Sequence, residues 1–108
     1  MEHIATKEHV RQALVRRLRS HFGERICHIL QAEGDAIYRT DEDTINLVLV
    51  LDYTHGWAET DAAVDLAWDV AEAHEFTYPV NVRVLNREAY EQGRAVVARH
   101  AQQEGSPA

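Results

Sequence analysis

The sequence is poor in the features that would place it outside the cytoplasm. Its single cysteine, Cys27, cannot form an internal disulfide, which fits a reducing compartment. The longest unbroken apolar run covers residues 47–51, far short of the roughly 20 residues that a membrane-spanning helix needs. The segment MEHIATKEHV at the start has no apolar core of the kind found in secretory signals. We therefore predict a cytoplasmic protein with no membrane partner.

Positive charge is also scarce. The 108 residues carry 11 Lys and Arg against 18 Asp and Glu, a formal net charge of −7. This balance argues against nucleic acid or an anionic membrane as the default partner. The charge is also unevenly distributed. Residues 1–25 hold six basic and three acidic side chains, a net of +3, whereas residues 26–75 hold one basic and twelve acidic, a net of −11.

The spacing of apolar residues predicts six elements. Helices are predicted over residues 7–22, 58–75 and 87–101, and strands over residues 25–31, 44–52 and 79–85. The strand at 44–52, TINLVLVLD, is apolar on both faces, so we expect it at the centre of its sheet. The prediction is an α+β fold, a small mixed β-sheet flanked by helices in the order α-β-β-α-β-α. Residues 1–101 form a single domain in this prediction, followed by a frayed tail at 102–108.

The order of the elements and the local sequences of the strands resemble those of the minimal nucleotidyltransferases of the polymerase-beta type. In that family a Gly-Ser turn follows the first strand, Ser-Asp-x-Asp runs into the second, and the third carries another carboxylate. Here RICHIL resembles the first strand, DTINLVLVLD the second and YPVNVRVLN the third. The resemblance covers residues 10–101. It implies a nucleotidyltransferase-like fold with a Mg²⁺ site between the second and third strands.

The residues that define the family are replaced in this sequence. Gly34 is followed by Asp35 in place of the serine of the Gly-Ser turn. In the closest register, Thr44 and Asn46 fall on the two metal-binding aspartates, and Asn81 falls near the third carboxylate. Neutral oxygens supply none of the negative charge that holds Mg²⁺.

A further basic side chain follows one of these neutral positions. Arg83 shares a strand face with Asn81, which adds a fixed cation beside the implied site. We therefore predict a degenerate, catalytically inactive member of the family that binds no metal and no cofactor.

Two alternatives remain open. In the first, the chain is an active Mg²⁺-dependent nucleotidyltransferase that recruits Asp41, Asp43 or Asp52 in an unconventional way. The alternation of a strand argues against this, because residues 41 and 43 project away from the face of residues 44 and 46. Asp52 lies about 20 Å from Asn46 along the strand. In the second, the chain is a small ligand-binding regulatory α+β domain.

The helix at 58–75 carries the candidate interaction surface. Val64 and Trp68 lie away from its apolar core line, and exposed Trp with aliphatic neighbours is typical of interfaces. A ridge of acidic side chains runs along the same helix at Asp61, Asp65 and Asp69. The predicted partner is a second copy of the chain or another protein, with the basic helix of one chain meeting the acidic helix of the other. The family resemblance adds an antitoxin-like or regulatory role, because small members often act beside a helical partner protein in two-gene modules.

Overall fold

The structure is a computed structural model that describes residues 6–31, 44–93 and 106–108. Its helices are α1 (Lys7–Phe22), α2 (Ala58–Ala73) and α3 (Arg87–Gln92), with a 3₁₀ turn at Gly23–Arg25. Its strands are β1 (Ile26–Gln31), β2 (Ile45–Leu51), β3 (Val80–Asn86) and β4 (Ser106–Pro107). The predicted α+β fold with the order α-β-β-α-β-α is confirmed, and β4 follows it.

The described strands form one mixed sheet in the order β3-β2-β1-β4. β2 pairs antiparallel with β1 and parallel with β3, so α2 makes the crossover between two parallel neighbours. All seven residues of β2 are buried, as expected for a strand that has neighbours on both sides and is apolar on both faces. The central position predicted for this strand is therefore confirmed.

The two faces of β2 contribute to separate cores because successive side chains point to opposite sides of the sheet. Ile45, Leu47, Leu49 and Leu51 face α1 and α2 and form the main core with the apolar stripe of α1. The other face carries a smaller core, which contains Leu30, Val48 and Val50, with Cys27, Leu85 and Tyr90 packed against it. Asn46 belongs to the same alternating set as Val48 and Val50, so its side chain lies on this second face.

Local chemistry accounts for where the helices begin and end. The Thr6 hydroxyl accepts a hydrogen bond from the His9 N–H at 3.1 Å and caps the start of α1. α2 ends at Ala73, two residues before the predicted end, because the turn that follows places Glu75 and Phe76 in the left-handed region at φ 58° and 54°. α3 ends at Gln92, before the left-handed Gly93, and residues 94–101 of the predicted helix lie outside the described residues.

Two further details differ from the sequence-based prediction. Residues 106–108 belong to the predicted frayed tail, but Ser106 pairs with Gln31 and the Ala108 N–H donates to the Ile29 carbonyl at 2.9 Å. On α2, Ala73 is exposed and Glu59 is buried, the reverse of what their polarity predicts. No helix within the described ranges combines the length and apolar character that a membrane crossing requires.

Candidate functional site

The parallel pairing of β2 and β3 brings two asparagines together. Asn46 and Asn81 are direct partners in the register, each at the second residue of its strand. The Asn81 Nδ2–H donates to Asn46 Oδ1 at 3.2 Å. Asn46 is buried and Asn81 is half-buried. Two of the three positions that the resemblance assigns to metal-binding carboxylates are therefore adjacent and bonded to each other.

The third position, Thr44, lies immediately before β2. Its side chain is 3 % exposed, and its hydroxyl has no hydrogen-bond partner among the described residues. A buried hydroxyl without a partner loses the hydrogen bonds that it makes with water in the unfolded chain, so its position is costly. Thr44 and Asn46 both line a cavity of about 220 Å³ at the edge where β1 ends and β2 begins.

The first turns of α1 supply the charged wall of this cavity. Lys7, Glu8 and Arg11 line it together with Gln31 of β1. The Arg11 guanidinium forms an ion pair with the Glu8 carboxylate. Hydrogen bonds from Gln12 and Arg11 lower the pKa of the Glu8 carboxyl. The cavity is therefore polar, with cationic and anionic side chains that partly neutralise each other.

The cavity does not unite all the positions that the sequence singled out. Among the described residues, neither Asn81 nor Arg83 lines it. Arg83 lies opposite Val48 in the β2–β3 register, one pair further along the same face than the asparagines, and is exposed. The predicted sharing of a face by Asn81 and Arg83 is therefore present in the structure.

Of the candidate acids of the alternative enzyme, only Asp52 lies within the described residues, and it does not meet the asparagine pair. Asp52 follows the last residue of β2, at the opposite end of the strand, and its carboxylate accepts a hydrogen bond from Arg87 Nη1 at 3.2 Å. Asp41 and Asp43 lie outside the described residues. Across the ranges that the structure covers, no three His, Cys, Asp or Glu side chains group in a way that could hold a metal ion.

A second surface lies on the outer side of α2. Val64, Trp68 and Phe76 are exposed by 50 %, 62 % and 52 %, and the Trp68 and Phe76 rings lie 5.2 Å apart between centroids. These side chains line an apolar groove of about 420 Å³ between α2 and β3, together with Tyr78 and Val82. Val64 and Trp68 are thus exposed, on the side of α2 away from its apolar core line.

Phe76 is a groove residue that sequence reasoning missed. It follows the helix in a left-handed turn, and its N–H donates to the Ala71 carbonyl at 2.7 Å. This bond turns the chain back so that the ring meets Trp68. Neither Glu75 nor Phe76 is a residue type that signals a left-handed turn, so no local pattern would have found it.

The acidic ridge of α2 is partly neutralised within the chain. Asp61, Asp65 and Asp69 are all exposed, and the Asp69 carboxylate lies 3.5 Å from the Arg17 guanidinium of α1. α1 packs directly against α2 in the same chain. The complementarity between the basic and acidic helices therefore acts in part within one molecule.

No family model, curated protein or solved structure matches the chain.

A buried carboxylate outside both surfaces joins the start of β1 to the loop before α2. The carboxylate of Glu59, 4 % exposed, accepts the His55 N–H and lies 3.7 Å from the Arg25 guanidinium. Arg25 also donates to the Tyr53 carbonyl at 2.8 Å and stacks over the Tyr53 ring at 4.5 Å. The hydrogen bond from His55 lowers the pKa of the Glu59 carboxyl, and burial opposes this change. Arg25 and Glu59 pair with each other, and only Arg25 Nε, within the described part of the cluster, is buried without a hydrogen-bond partner, so the cluster reads as structural.

Proposed function

We propose that this chain is a catalytically inactive, nucleotidyltransferase-like binding module, which acts on protein partners and not on nucleotides. The observation that carries the proposal is the hydrogen bond between the Asn46 and Asn81 side chains. It occupies the position where the resemblance implies a cluster of carboxylates. The proposal includes a cytoplasmic location, supported by the single cysteine, and a regulatory or antitoxin-like role.

The chemistry of the two amides opposes a dication. Mg²⁺ prefers anionic oxygens in near-octahedral geometry. Nucleotidyl transfer needs divalent metal ions held about 4 Å apart. The Asn46 amide oxygen is neutral, and the Asn81 N–H already donates to it. A metal would have to break this bond and would gain no negative charge in return. The residues present do not fit Mg²⁺, so no catalytic step through a metal is derived for this site.

The decisive experiment restores the missing charge. We expect the unfolding temperature of the natural chain to be insensitive to millimolar Mg²⁺, with or without a nucleoside triphosphate. In the double variant Asn46→Asp with Asn81→Asp, two adjacent carboxylates repel each other until a dication binds, so the unfolding temperature should rise with Mg²⁺. Asp52→Asn, at the other end of β2, is the matched control and should respond as the natural chain does.

The enzyme alternative predicts a different result in the same titration. Mg²⁺-dependent nucleotide binding by the natural chain, abolished in Asp41→Asn or Asp43→Asn, would replace the inactive assignment by an active nucleotidyltransferase. Calorimetry of the natural chain and of the two single variants separates these outcomes.

The charge and the apolar groove support a protein partner. The net charge of −7 disfavours nucleic acids and anionic membranes. Exposed aromatic and aliphatic side chains in a contiguous groove are typical of protein–protein contacts. The groove along Val64 and Trp68 is therefore the proposed contact surface, with a second copy of the chain or another protein as its partner.

A small-ligand function is the second candidate, and the polar cavity at Thr44 favours it. The buried hydroxyl of Thr44 lacks a partner among the described residues, and Lys7 and Arg11 line the same cavity. A ligand with an anionic group would meet Lys7 and Arg11 in this lining, and it would compete with the Glu8 carboxylate for Arg11. Titration with inorganic phosphate and with a nucleoside monophosphate, without Mg²⁺, tests it by NMR. Shifts at Thr44 and Gln31 that disappear in Thr44→Val would support a ligand-binding domain.

A further inference from the structure

The outer edge of β3 presents backbone groups that have no partner in the described part of the chain. The Pro79 carbonyl accepts the Ile45 N–H at 2.8 Å, so Pro79 faces β2. Backbone groups alternate along a strand, so Asn81, Arg83 and Leu85 also face β2, whereas Val80, Val82 and Val84 direct their N–H and C=O outward. No hydrogen bond within the described residues reaches these outward groups.

Among the described residues, this edge has little of the usual protection against strand pairing. Natural edge strands are short, bulged, interrupted by proline or blocked by charged side chains. β3 has seven residues, contains no proline, and pairs with β2 in an unbroken register from Val80 to Asn86. Its one charged side chain, Arg83, is exposed on the face of the sheet opposite α2 and the groove, so it leaves the groove side of the edge uncharged. A second strand can therefore approach along Val80, Val82 and Val84.

The apolar groove lies beside the same edge, which restricts the kind of partner. An isolated peptide strand would pair with β3 but would leave Val64, Trp68 and Phe76 largely uncovered on α2. A suitable partner needs an edge strand and an apolar helix surface on the same side of that strand. A second copy of this chain has both features in the required arrangement.

We propose that two copies of the chain associate through β3, antiparallel about a two-fold axis at Val82, and form one continuous sheet. This inference rests on the proposed function, in which the chain acts by binding. Val82 pairs with its own counterpart, and Val80 pairs with Val84 of the second copy. In these pairs the outward N–H and C=O groups of one copy face those of the other. Each pair exchanges two hydrogen bonds, about six in all. The two α2 helices then lie side by side and bury Val64 and Trp68 between them.

The charge of Arg83 favours the register with the axis at Val82 over the register with the axis one residue further along β3. With the axis at Val82, each Arg83 lies opposite Asn81 of the second copy. A shift of the axis to Arg83 would place the two guanidinium groups directly opposite each other, which is destabilising. The two-fold arrangement is isologous and closed, so it yields a dimer and not a fibre.

The experiment measures association and its location in the full chain. Sedimentation equilibrium should show a monomer–dimer equilibrium. Trp68→Lys should raise the dissociation constant at least tenfold, because it places a charge in the apolar contact. Trp57→Lys is the matched control, since Trp57 is 78 % exposed outside the groove, and it should leave the constant unchanged. Both side chains are exposed, so both variants should fold.

Amide hydrogen exchange locates the contact on the strand. The Val82 N–H should be protected in the dimer and should exchange much faster in monomeric Trp68→Lys. The Arg83 N–H is bonded to β2, so it should be protected in both.

Three results would overturn the inference: a monomer at every concentration, a dimer unaffected by Trp68→Lys, or a dimer in which the Val82 N–H exchanges as in the monomer. None of them affects the Mg²⁺ titration that tests the proposed function. A monomer that is insensitive to Mg²⁺ refutes only the β3 contact. A dimer that transfers nucleotides refutes only the inactive assignment.

Discussion

Single side chains determine the chemistry of the β2–β3 site. Asn46 and Asn81 have nearly the shape of aspartates, and they stand side by side in adjacent parallel strands. Replacement of one carboxylate oxygen by an amide group removes the negative charge and adds hydrogen-bond donors. Two carboxylates at this distance would repel each other, whereas the amides bond. The same backbone therefore stabilises an amide pair where a charged pair would need a cation.

The Glu59 carboxylate is predicted to stabilise the fold in a pH-dependent manner. The His55 N–H lowers its pKa in the folded state below the ordinary value of 4.5. Its contribution is then fully present above about pH 4.5 and is lost as the pH falls through the lower, folded-state pKa. Glu59→Gln cannot make this contribution. The difference in unfolding free energy between the natural chain and Glu59→Gln should be largest near neutral pH and should narrow below pH 4.5.

Urea denaturation at a series of pH values checks this expectation. Glu24→Gln, an exposed carboxylate in the 3₁₀ turn, serves as the control and should differ little from the natural chain at any pH. A difference for Glu59→Gln that grows on acidification would contradict the assigned direction of the pKa shift.

The left-handed turn after α2 offers a second test at the residue scale. Glu75 has φ 58°, a conformation that costs an L residue roughly 1–2 kcal/mol and costs glycine little. Glycine loses roughly 0.5–1 kcal/mol through the greater freedom of the unfolded chain. Glu75→Gly should therefore raise the unfolding free energy by about 0.5–1 kcal/mol.

Glu72→Gly, one turn earlier in the helical part of α2, is the matched control and should lower the unfolding free energy by about 1 kcal/mol. Thermal denaturation of both variants provides the comparison. Equal effects of the two substitutions would show that backbone conformation at position 75 is not the cause.

At the scale of the elements, the boundaries follow from side chains that bond to the backbone. Thr6 caps the start of α1 with a hydroxyl that accepts a backbone N–H. Asn86 caps the start of α3 in the same way, since its side chain accepts the Ala89 N–H at 2.7 Å. α2 has no side-chain cap at Trp57, and instead the buried Glu59 carboxylate holds the loop that precedes it. Each of these helices is thus anchored by local contacts at its start.

Removal of the cap of α1 should have a measurable cost. Thr6→Ala deletes the acceptor for the His9 N–H, and we expect a loss of about 1 kcal/mol in the free energy of unfolding. Thr6→Ser keeps the hydroxyl and should retain most of the stability. Chemical denaturation of the three proteins tests this, and an unchanged Thr6→Ala variant would mean that α1 is held by its apolar stripe alone.

At the scale of the whole molecule, net charge opposes the proposed dimer. Each copy carries a formal charge of −7, and the exposed acidic ridge of α2 lies beside the groove. The contact itself is made by backbone groups and apolar side chains, which salt does not weaken. Salt screens the repulsion between exposed charges. Rising NaCl should therefore lower the dimer dissociation constant severalfold.

Sedimentation equilibrium at low and high NaCl measures this dependence, and KCl in place of NaCl controls for a specific ion effect. A dissociation constant that rises with salt would indicate an interface held by ion pairs, such as one between α1 and the acidic ridge. That result would favour the helix-to-helix association predicted from charge over the β3 contact.

Local amino-acid patterns were enough to predict three helices, three strands and their order. The apolar stripe of α1, the two apolar faces of β2 and the alternation of β3 are local patterns, and each reflects burial of a repeating face. The neutral character of Thr44, Asn46 and Asn81 was also visible, as was the outward position of Val64 and Trp68. These properties can be recognised without knowing which residues far apart in the sequence come into contact.

Which distant residues meet depends on the fold as a whole. The register of β2 on β3 joins Asn46 to Asn81, the turn at Glu75 brings Phe76 onto Trp68, and the fold buries Glu59 and pairs Ser106 with β1. The fold also places β3 at an edge of the described sheet, where the backbone groups of Val80, Val82 and Val84 point outward beside the groove. The physical reason is that register, edge position and groove depend on the free energy of packing the whole chain, whereas periodicity reports only which local face is apolar.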